Sequence, residues 1–248
     1  MLKIGVVGYG KAGQAVAEVL RHDPRFEVVW VARRSSADPA ATIPGSTIPI
    51  IGLDQVVLGE WLDAHPVDAL VDFSNSDTVK MYGEEVRQRQ LMLVSAISAY
   101  SDTELDYVRS LGNDTRVLCS PNMTVGINFL MLAARLLRSI APFADVEILE
   151  QHFRDKPEVS GTAKKIADSL SIDNGHITSL RLGGIVGHHE VIFGFPYQTV
   201  RIIHNSIERK AFGTGAAFAL SELATCERGF YTFDDLLMRK VRTQLAMA

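Results

Sequence analysis

Residues 2–13 read Leu2-Lys3-Ile4-Gly5-Val6-Val7-Gly8-Tyr9-Gly10-Lys11-Ala12-Gly13, and this stretch decides the fold. A short apolar strand, Leu2 to Val7, runs into glycines spaced G-x-G-x-x-G, and Ala15, Val16, Val19 and Leu20 then recur at helical spacing. Alone the glycine pattern is weak; between a strand and a helix, at the opening of a βαβ unit, it is specific. Gly8 permits the tight turn, Gly10 lets a pyrophosphate approach the backbone, and Gly13 lets helix and strand pack closely. Free N–H groups at the helix start attract phosphate. Gly8, Gly10, Lys11, Ala12 and Gly13 therefore form the expected dinucleotide-binding turn, with Lys11 a further phosphate contact. Glycines that serve a tight turn and nothing else are the alternative.

The end of the second strand, Phe26 to Ala32, usually selects the cofactor. An acidic residue there would bind the ribose diol of NAD. Here it continues as Arg33-Arg34-Ser35-Ser36, with no carboxylate before Asp38. The guanidinium groups of Arg33 and Arg34 and the neighbouring hydroxyls suit a 2′-phosphate, so NADPH is the expected cofactor, with NADH use also compatible. Charged loops also occur for solvation alone.

Farther along, Val67 to Phe73, Leu91 to Ala96 and Arg116 to Cys119 read as strands. Thr78 to Arg89 and Thr103 to Leu111 read as the helices between them. Alternating apolar strands and amphipathic helices predict a parallel sheet covered on both faces, a Rossmann-type α/β domain. The pattern changes after Ser120-Pro121-Asn122. Met123 to Ile140 is one apolar helix, followed by a strand at Val146 to Leu149 and a helix at Ala163 to Leu170. Three strand-like segments follow, His176 to Leu182, His188 to Phe195 and Tyr197 to Ser206. Tight connections there predict an antiparallel or mixed sheet. Ala211 to Cys226 returns to helix. The expected division is a dinucleotide-binding domain over 1–121 and 212–248, and a substrate and oligomerisation domain over 122–211.

The 248 residues carry 25 basic and 29 acidic side chains, interspersed without a basic run, which argues against a nucleic-acid binder. There is no run of about 20 apolar residues and no signal-peptide pattern, so a cytoplasmic protein away from membranes is expected. Cys119 and Cys226 lie far apart and read as buried reduced thiols. His188 and His189 are adjacent on a strand and face opposite sides, so no metal site is expected.

The chemistry concentrates in Glu150-Gln151-His152-Phe153-Arg154-Asp155-Lys156, followed by Ser160-Gly161-Thr162. An imidazole, a guanidinium and an ammonium stand beside a hydroxyl-rich turn that opens a helix. This suits a small anionic substrate that needs anchoring and a proton. For Arg154 a structural ion pair is the favoured reading.

These stretches resemble the 4-hydroxy-tetrahydrodipicolinate reductase (dihydrodipicolinate reductase) family of bacterial lysine biosynthesis. Its E-x-H-H-x-x-K and S-G-T-A segments correspond to Glu150–Lys156 and Ser160–Ala163. Asp72-Phe73-Ser74 is similar to its D-F-T, Ser120 to Asn128 to its A-P-N-F-S-x-G-V-N hinge, and Arg181 to His189 to its R-x-G-x-x-V-G-x-H. Phe212 to Ala216 and Gly229 to Leu236 resemble its closing segments. The resemblance implies NAD(P)H-dependent reduction of a cyclic unsaturated dicarboxylate. His152 would be the proton donor and Lys156 its assistant, and Ser160, Gly161 and Thr162 would hold a substrate carboxylate. Phe73, Ser98 and Asn122 would border the cofactor, in a homotetramer. His189 and His204 would be structural or at a subunit interface.

The chain departs from the family pattern near the substrate. Phe153 replaces the second histidine, and Pro157 follows Lys156 directly. The G-T-T-G-F loop reads Ala96-Ile97-Ser98-Ala99-Tyr100, without its glycines, and the cofactor turn is one residue shorter than G-x-x-G-R-M-G. Two other functions share this plan: an NADP-dependent amino-acid dehydrogenase or imine reductase on a related substrate, and a catalytically silent NADP-binding protein.

Overall fold

The computed structural model describes residues 1–35, 38 and 40–246. The chain opens with β1 (Leu2–Val7), α1 (Lys11–His22), β2 (Phe26–Arg33), β3 (Ile50–Gly52), α2 (Leu58–Ala64) and β4 (Ala69–Asp72). It continues through α3 (Val79–Arg89), β5 (Met92–Ser95), α4 (Asp102–Leu111) and β6 (Arg116–Cys119). Next come α5 (Val125–Ile140), β7 (Asp145–His152), α6 (Gly161–Leu170), β8 (Ile177–Arg181), β9 (Gly187–Phe195) and β10 (Gln198–Ser206). The tail holds α7 (Lys210–Leu223), β11 (Gly229–Tyr231) and α8 (Phe233–Leu245). Two compact units result: Met1–Thr124 with the chain from Arg209 onward, and Val125–Glu208.

The first unit is built on a seven-stranded sheet in the order β11-β6-β5-β4-β1-β2-β3. Every neighbouring pair in it is parallel. β4, β5 and the inner half of β1 are buried residue after residue, as strands covered on both faces must be. α1 lays Gly13, Val16, Ala17 and Leu20 inward. α4 begins at a Ser101 capping box closed by Glu104, and α8 at a Thr232 box closed by Asp235. Strand order reverses between β1 and β4, the switch point where open α/β sheets take ligands beyond the carboxyl ends of their strands.

The second unit has a four-stranded mixed sheet, β10-β9-β7-β8, in which only β7 and β8 run parallel. Val146, Ile148, Glu150 and His152 share one face of β7 by strand alternation. On that face Ile148, Val191 and Phe193 form an apolar core with Ile127, Leu130 and Ile166 of α5 and α6. The far end of the same face is polar.

Several boundaries differ from expectation. β7 continues through Glu150, Gln151 and His152 instead of ending at Leu149, so the polar groups are part of the sheet. α6 starts at Gly161 because Ser160 caps it, and α5 starts at Val125 because the Asn122 carboxamide oxygen accepts from the amide and hydroxyl of Thr124. β3, α2 and β11 are too short for periodicity to reveal.

Candidate functional site

In the first unit the glycine turn has the shape that a dinucleotide needs. Gly8 sits at φ +89°, and a Cβ there would lie 2.5 Å from the amide nitrogen of Ser74. A Cβ on Gly13 would lie 1.7 Å from the Gly8 carbonyl oxygen, so helix and turn could not close. Gly10 is different: nothing lies within 4 Å of its Cβ position. It caps α1 without any side-chain hydrogen bond. The amides of Lys11, Ala12 and Gly13 form the first turn of α1 and have no intrahelical acceptor. An open cradle of N–H donors fits a phosphate. Beside it is a groove of about 360 Å³ lined by residues including Ala12, Phe73, Ser74, Ile97, Ser98 and Phe212. These come from the first turn of α1, from the segments that follow the carboxyl ends of β4 and β5, and from α7.

Asp72 underlies one wall of the groove. It is fully buried and accepts hydrogen bonds from the Ser74 amide at 2.8 Å, the Ser74 hydroxyl at 2.5 Å and the Tyr82 hydroxyl at 2.5 Å. Burial pushes its carboxyl up to about 6 despite those donors. At the end of β2, the Arg33 guanidinium lies 5.8 Å from the centre of the Tyr9 ring, inside the glycine turn. Arg34 is exposed, 4.0 Å from Asp77. Ser36 lies outside the described residues.

In the second unit the polar end of the sheet is organised around Glu150. One carboxylate oxygen accepts from Ser179 Oγ at 2.7 Å, Arg181 Nη2 at 2.8 Å and the Ser160 amide at 3.2 Å. The other accepts from His152 Nδ1 at 2.5 Å and Arg181 Nη1 at 3.0 Å. Burial alone would raise this carboxyl, but the donors outweigh it and hold it at about 2. Arg181 also donates to the carbonyls of Lys156 and Glu158, fixing the loop that leads to Ser160. His152 Nε2 has no hydrogen-bond partner among the described residues. Gly187 leaves that nitrogen room, since a Cβ there would lie 3.3 Å from it.

Ser160 is buried, and its hydroxyl lies 2.8 Å from Nε2 of His189 and accepts from the Ala163 amide. Burial, with His152 and His204 nearby, lowers His189 to about 3, so the ring is neutral. The amides of Gly161 and Thr162 open α6 with no intrahelical acceptor, and nothing lies within 4 Å of the Gly161 Cβ position.

His152, Ser160 and the Lys156 loop are thus gathered on Glu150 and Arg181. Gly8, Gly13 and Phe73 pack on one another, and Ala12, Phe73 and Ser98 line the groove. Asn122 does not line it; its neighbours Pro121 and Met123 do. The Ala96–Tyr100 loop adopts no positive φ, as its lack of glycine requires. Arg154 does not form the expected ion pair: it is exposed and unpaired among the described residues, because β7 ends before it. Cys119 is buried, with its thiol pushed up to about 11 by burial. Cys226 is only half-buried, contrary to expectation, because it faces the exposed Arg239 on the rim of α7 and α8.

Sequence reasoning assigned no role to Glu150, Ser179 or Arg181 and read His189 as structural or at a subunit interface. One signal was available. Glu150 follows Val146 and Ile148 at the inward positions of a strand, where a carboxylate needs several donors.

Known proteins match the chain over nearly its whole length. Residues 2–123 match the family described as "Dihydrodipicolinate reductase, N-terminus", and residues 123–237 match "Dihydrodipicolinate reductase, C-terminus". The chain is 29% identical over 253 residues to a 4-hydroxy-tetrahydrodipicolinate reductase of Caldanaerobacter subterraneus subsp. tengcongensis, covering 93% of this chain and 95% of the relative. It is 29% identical over 238 residues to one of Thermosipho africanus, covering 95% and 98%. The fold matches a dipicolinate-bound dihydrodipicolinate reductase from Paenisporosarcina sp. TG-14 with a TM-score of 0.79 at 22% identity, covering 94% of this chain and 97% of that one. A glycine cradle at the switch point of one unit, and a carboxylate-held histidine beside a capped helix in the other, fall within the two matched regions, and the chain belongs to the dihydrodipicolinate reductase family.

Proposed function

We propose that this chain is an NAD(P)H-dependent oxidoreductase. It reduces 4-hydroxy-tetrahydrodipicolinate (dihydrodipicolinate) to tetrahydrodipicolinate in lysine and diaminopimelate biosynthesis. The observation that carries the reading is the Glu150–His152 pair: a buried carboxylate holds the imidazole through Nδ1 and leaves Nε2 without a partner.

The nicotinamide, when bound, supplies a hydride. Reduction of a double bond conjugated to an imine places negative charge on a neighbouring carbon, which must be protonated. His152 delivers that proton from Nε2, while Nδ1–H remains bonded to Glu150. Lys156 stabilises the developing charge or assists the transfer. The Gly161 and Thr162 amides and the Thr162 hydroxyl take a substrate carboxylate at the start of α6, and the Ser160 hydroxyl holds that turn in place. The dipicolinate bound to the Paenisporosarcina relative supports a cyclic dicarboxylate.

The amides of Lys11, Ala12 and Gly13 hold the cofactor pyrophosphate, with Gly8 and Gly10 making room and the Lys11 side chain adding charge. Phe73 and Ser98, which line the groove, would border the nicotinamide. Arg33 and Arg34 favour NADPH, with NADH accepted, because no carboxylate stands at the end of β2 to bind a free ribose diol. The chain assembles as a homotetramer in the cytoplasm. The sheet face turned away from α5 and α6 carries Leu149, Leu180, Ile192 and Ile203, with Ile203 52% exposed, and further copies would remove it from water. Among the described residues no helix is long and apolar enough to cross a membrane.

The test is NADPH and NADH oxidation with 4-hydroxy-tetrahydrodipicolinate generated in situ by a coupled synthase. Turnover that requires the synthase product supports the reading. Absence of turnover, with NADPH still raising the melting temperature, refutes it. Light scattering on the eluted protein tests the tetramer.

A further inference from the structure

Every contact to Glu150 is a donor, and the donors come from three parts of the second unit. His152 lies on its own strand, Ser160 on the turn that opens α6, and Ser179 and Arg181 on β8. We infer that Glu150 is a positioning residue of the reaction: it selects the Nδ1–H tautomer of His152, so that the proton exchanged with substrate sits on Nε2, and it locks that imidazole to the turn that binds the substrate carboxylate. The inference rests on the reading of His152 as proton donor.

An amide in place of the carboxylate exposes this role. Glutamine has one acceptor oxygen and one NH2 group. Placed on the Ser160 and Ser179 side, the NH2 would oppose three donors. Placed on the His152 side, it would oppose two. The amide nitrogen of Glu150→Gln therefore settles beside His152, and a donor faces Nδ1 where an acceptor stood. The imidazole must then present its Nδ1 lone pair and carry its proton on Nε2 in the neutral form, a far weaker acid than imidazolium. Ser160 keeps its acceptor, so the substrate turn stays in place. The expected result is a fall in kcat of about 100-fold, toward the lower end of what general acid catalysis contributes. KM should stay within about twofold, since ground-state binding is untouched.

A purely architectural role would move KM and leave the tautomer alone, whereas the loss of stability is common to both roles. The experiment is 15N NMR of histidine-labelled protein, with the His152 signals assigned by their loss in His152→Gln, alongside kcat and KM of Glu150→Gln. Neutral His152 in the wild-type protein should carry its proton on Nδ1, and in Glu150→Gln on Nε2. A wild-type spectrum with the proton on Nε2 overturns the inference even if the variant fails to fold. So does wild-type kcat in Glu150→Gln when His152→Gln has none. Wild-type turnover in His152→Gln instead overturns the assignment of the proton donor, and the spectrum still reports what Glu150 does to the ring.

Discussion

Replacing Asp72 with asparagine tests how the groove wall of the first unit is held. Asp72 is fully buried, and its carboxyl is pushed from the ordinary 3.8 to about 6, chiefly by burial and against the pull of Ser74 and Tyr82. A carboxyl raised on folding binds its proton more tightly in the native state. It therefore contributes stability in full below pH 3.8, and this is lost as the pH rises through about 6. The displacement corresponds to about 3 kcal/mol between the two limits. An asparagine side chain at this position would keep an acceptor for the Ser74 amide and hydroxyl, and its NH2 would donate to the Tyr82 hydroxyl, without a charge to bury. Relative to wild type, Asp72→Asn should thus gain about 3 kcal/mol between pH 4 and pH 8. At about 2–4 °C per kcal/mol, the difference in melting temperature should open by roughly 6–12 °C. Cofactor-free melts of both proteins at matched ionic strength across that range provide the assay, and their difference cancels every other titrating group. A difference independent of pH, or one that turns against the variant as pH rises, would refute the account of Asp72 as a carboxylate ionised at a cost.

Other perturbations separate folding from binding. Gly10→Ala meets no atom within 4 Å, so its cofactor-free melt should match wild type within about 0.5 kcal/mol, while NADPH affinity falls at least about tenfold. Gly13→Ala drives a Cβ to 1.7 Å from the Gly8 carbonyl and should lose roughly 1–3 kcal/mol of stability in the same melt. Glu150 shows the opposite linkage to Asp72. Burial would raise it, yet Arg181, Ser179, His152 and the Ser160 amide bring it from 4.5 to about 2, so it stabilises the fold above pH 4.5 and less as pH falls toward 2. Urea unfolding should show Glu150→Gln less stable by about 3 kcal/mol at pH 7, with the gap narrowing in acid. Arg33→Ala with Arg34→Ala should raise the KM for NADPH about tenfold or more and leave that for NADH nearly unchanged, as steady-state kinetics with each cofactor will tell.

What the sequence determined by itself was whatever depends on near neighbours along the chain. The strand, glycine turn and helix of residues 2–22 were legible because two of the turn's glycines answer to backbone within a few residues: Gly13 packs on Gly8, and Gly10 caps the helix it precedes; that Gly8 is closed in by Phe73 and Ser74 was left to the fold. The alternation of apolar strands and helices was legible for the same reason, as were the His152 and Ser160 segments as the place of the chemistry. Tertiary structure decided the rest. β11 joins the parallel sheet by pairing Phe230 with Val117, a choice that three residues cannot encode locally. Glu150 becomes the hub of the site only because folding brings Arg181 from 31 residues away and Ser179 from 29 to the same carboxylate. His189 reaches Ser160 across a separation of 29. A buried charge is tolerated only when its donors converge from several elements, and convergence of that kind is a property of the folded chain, not of any stretch of it.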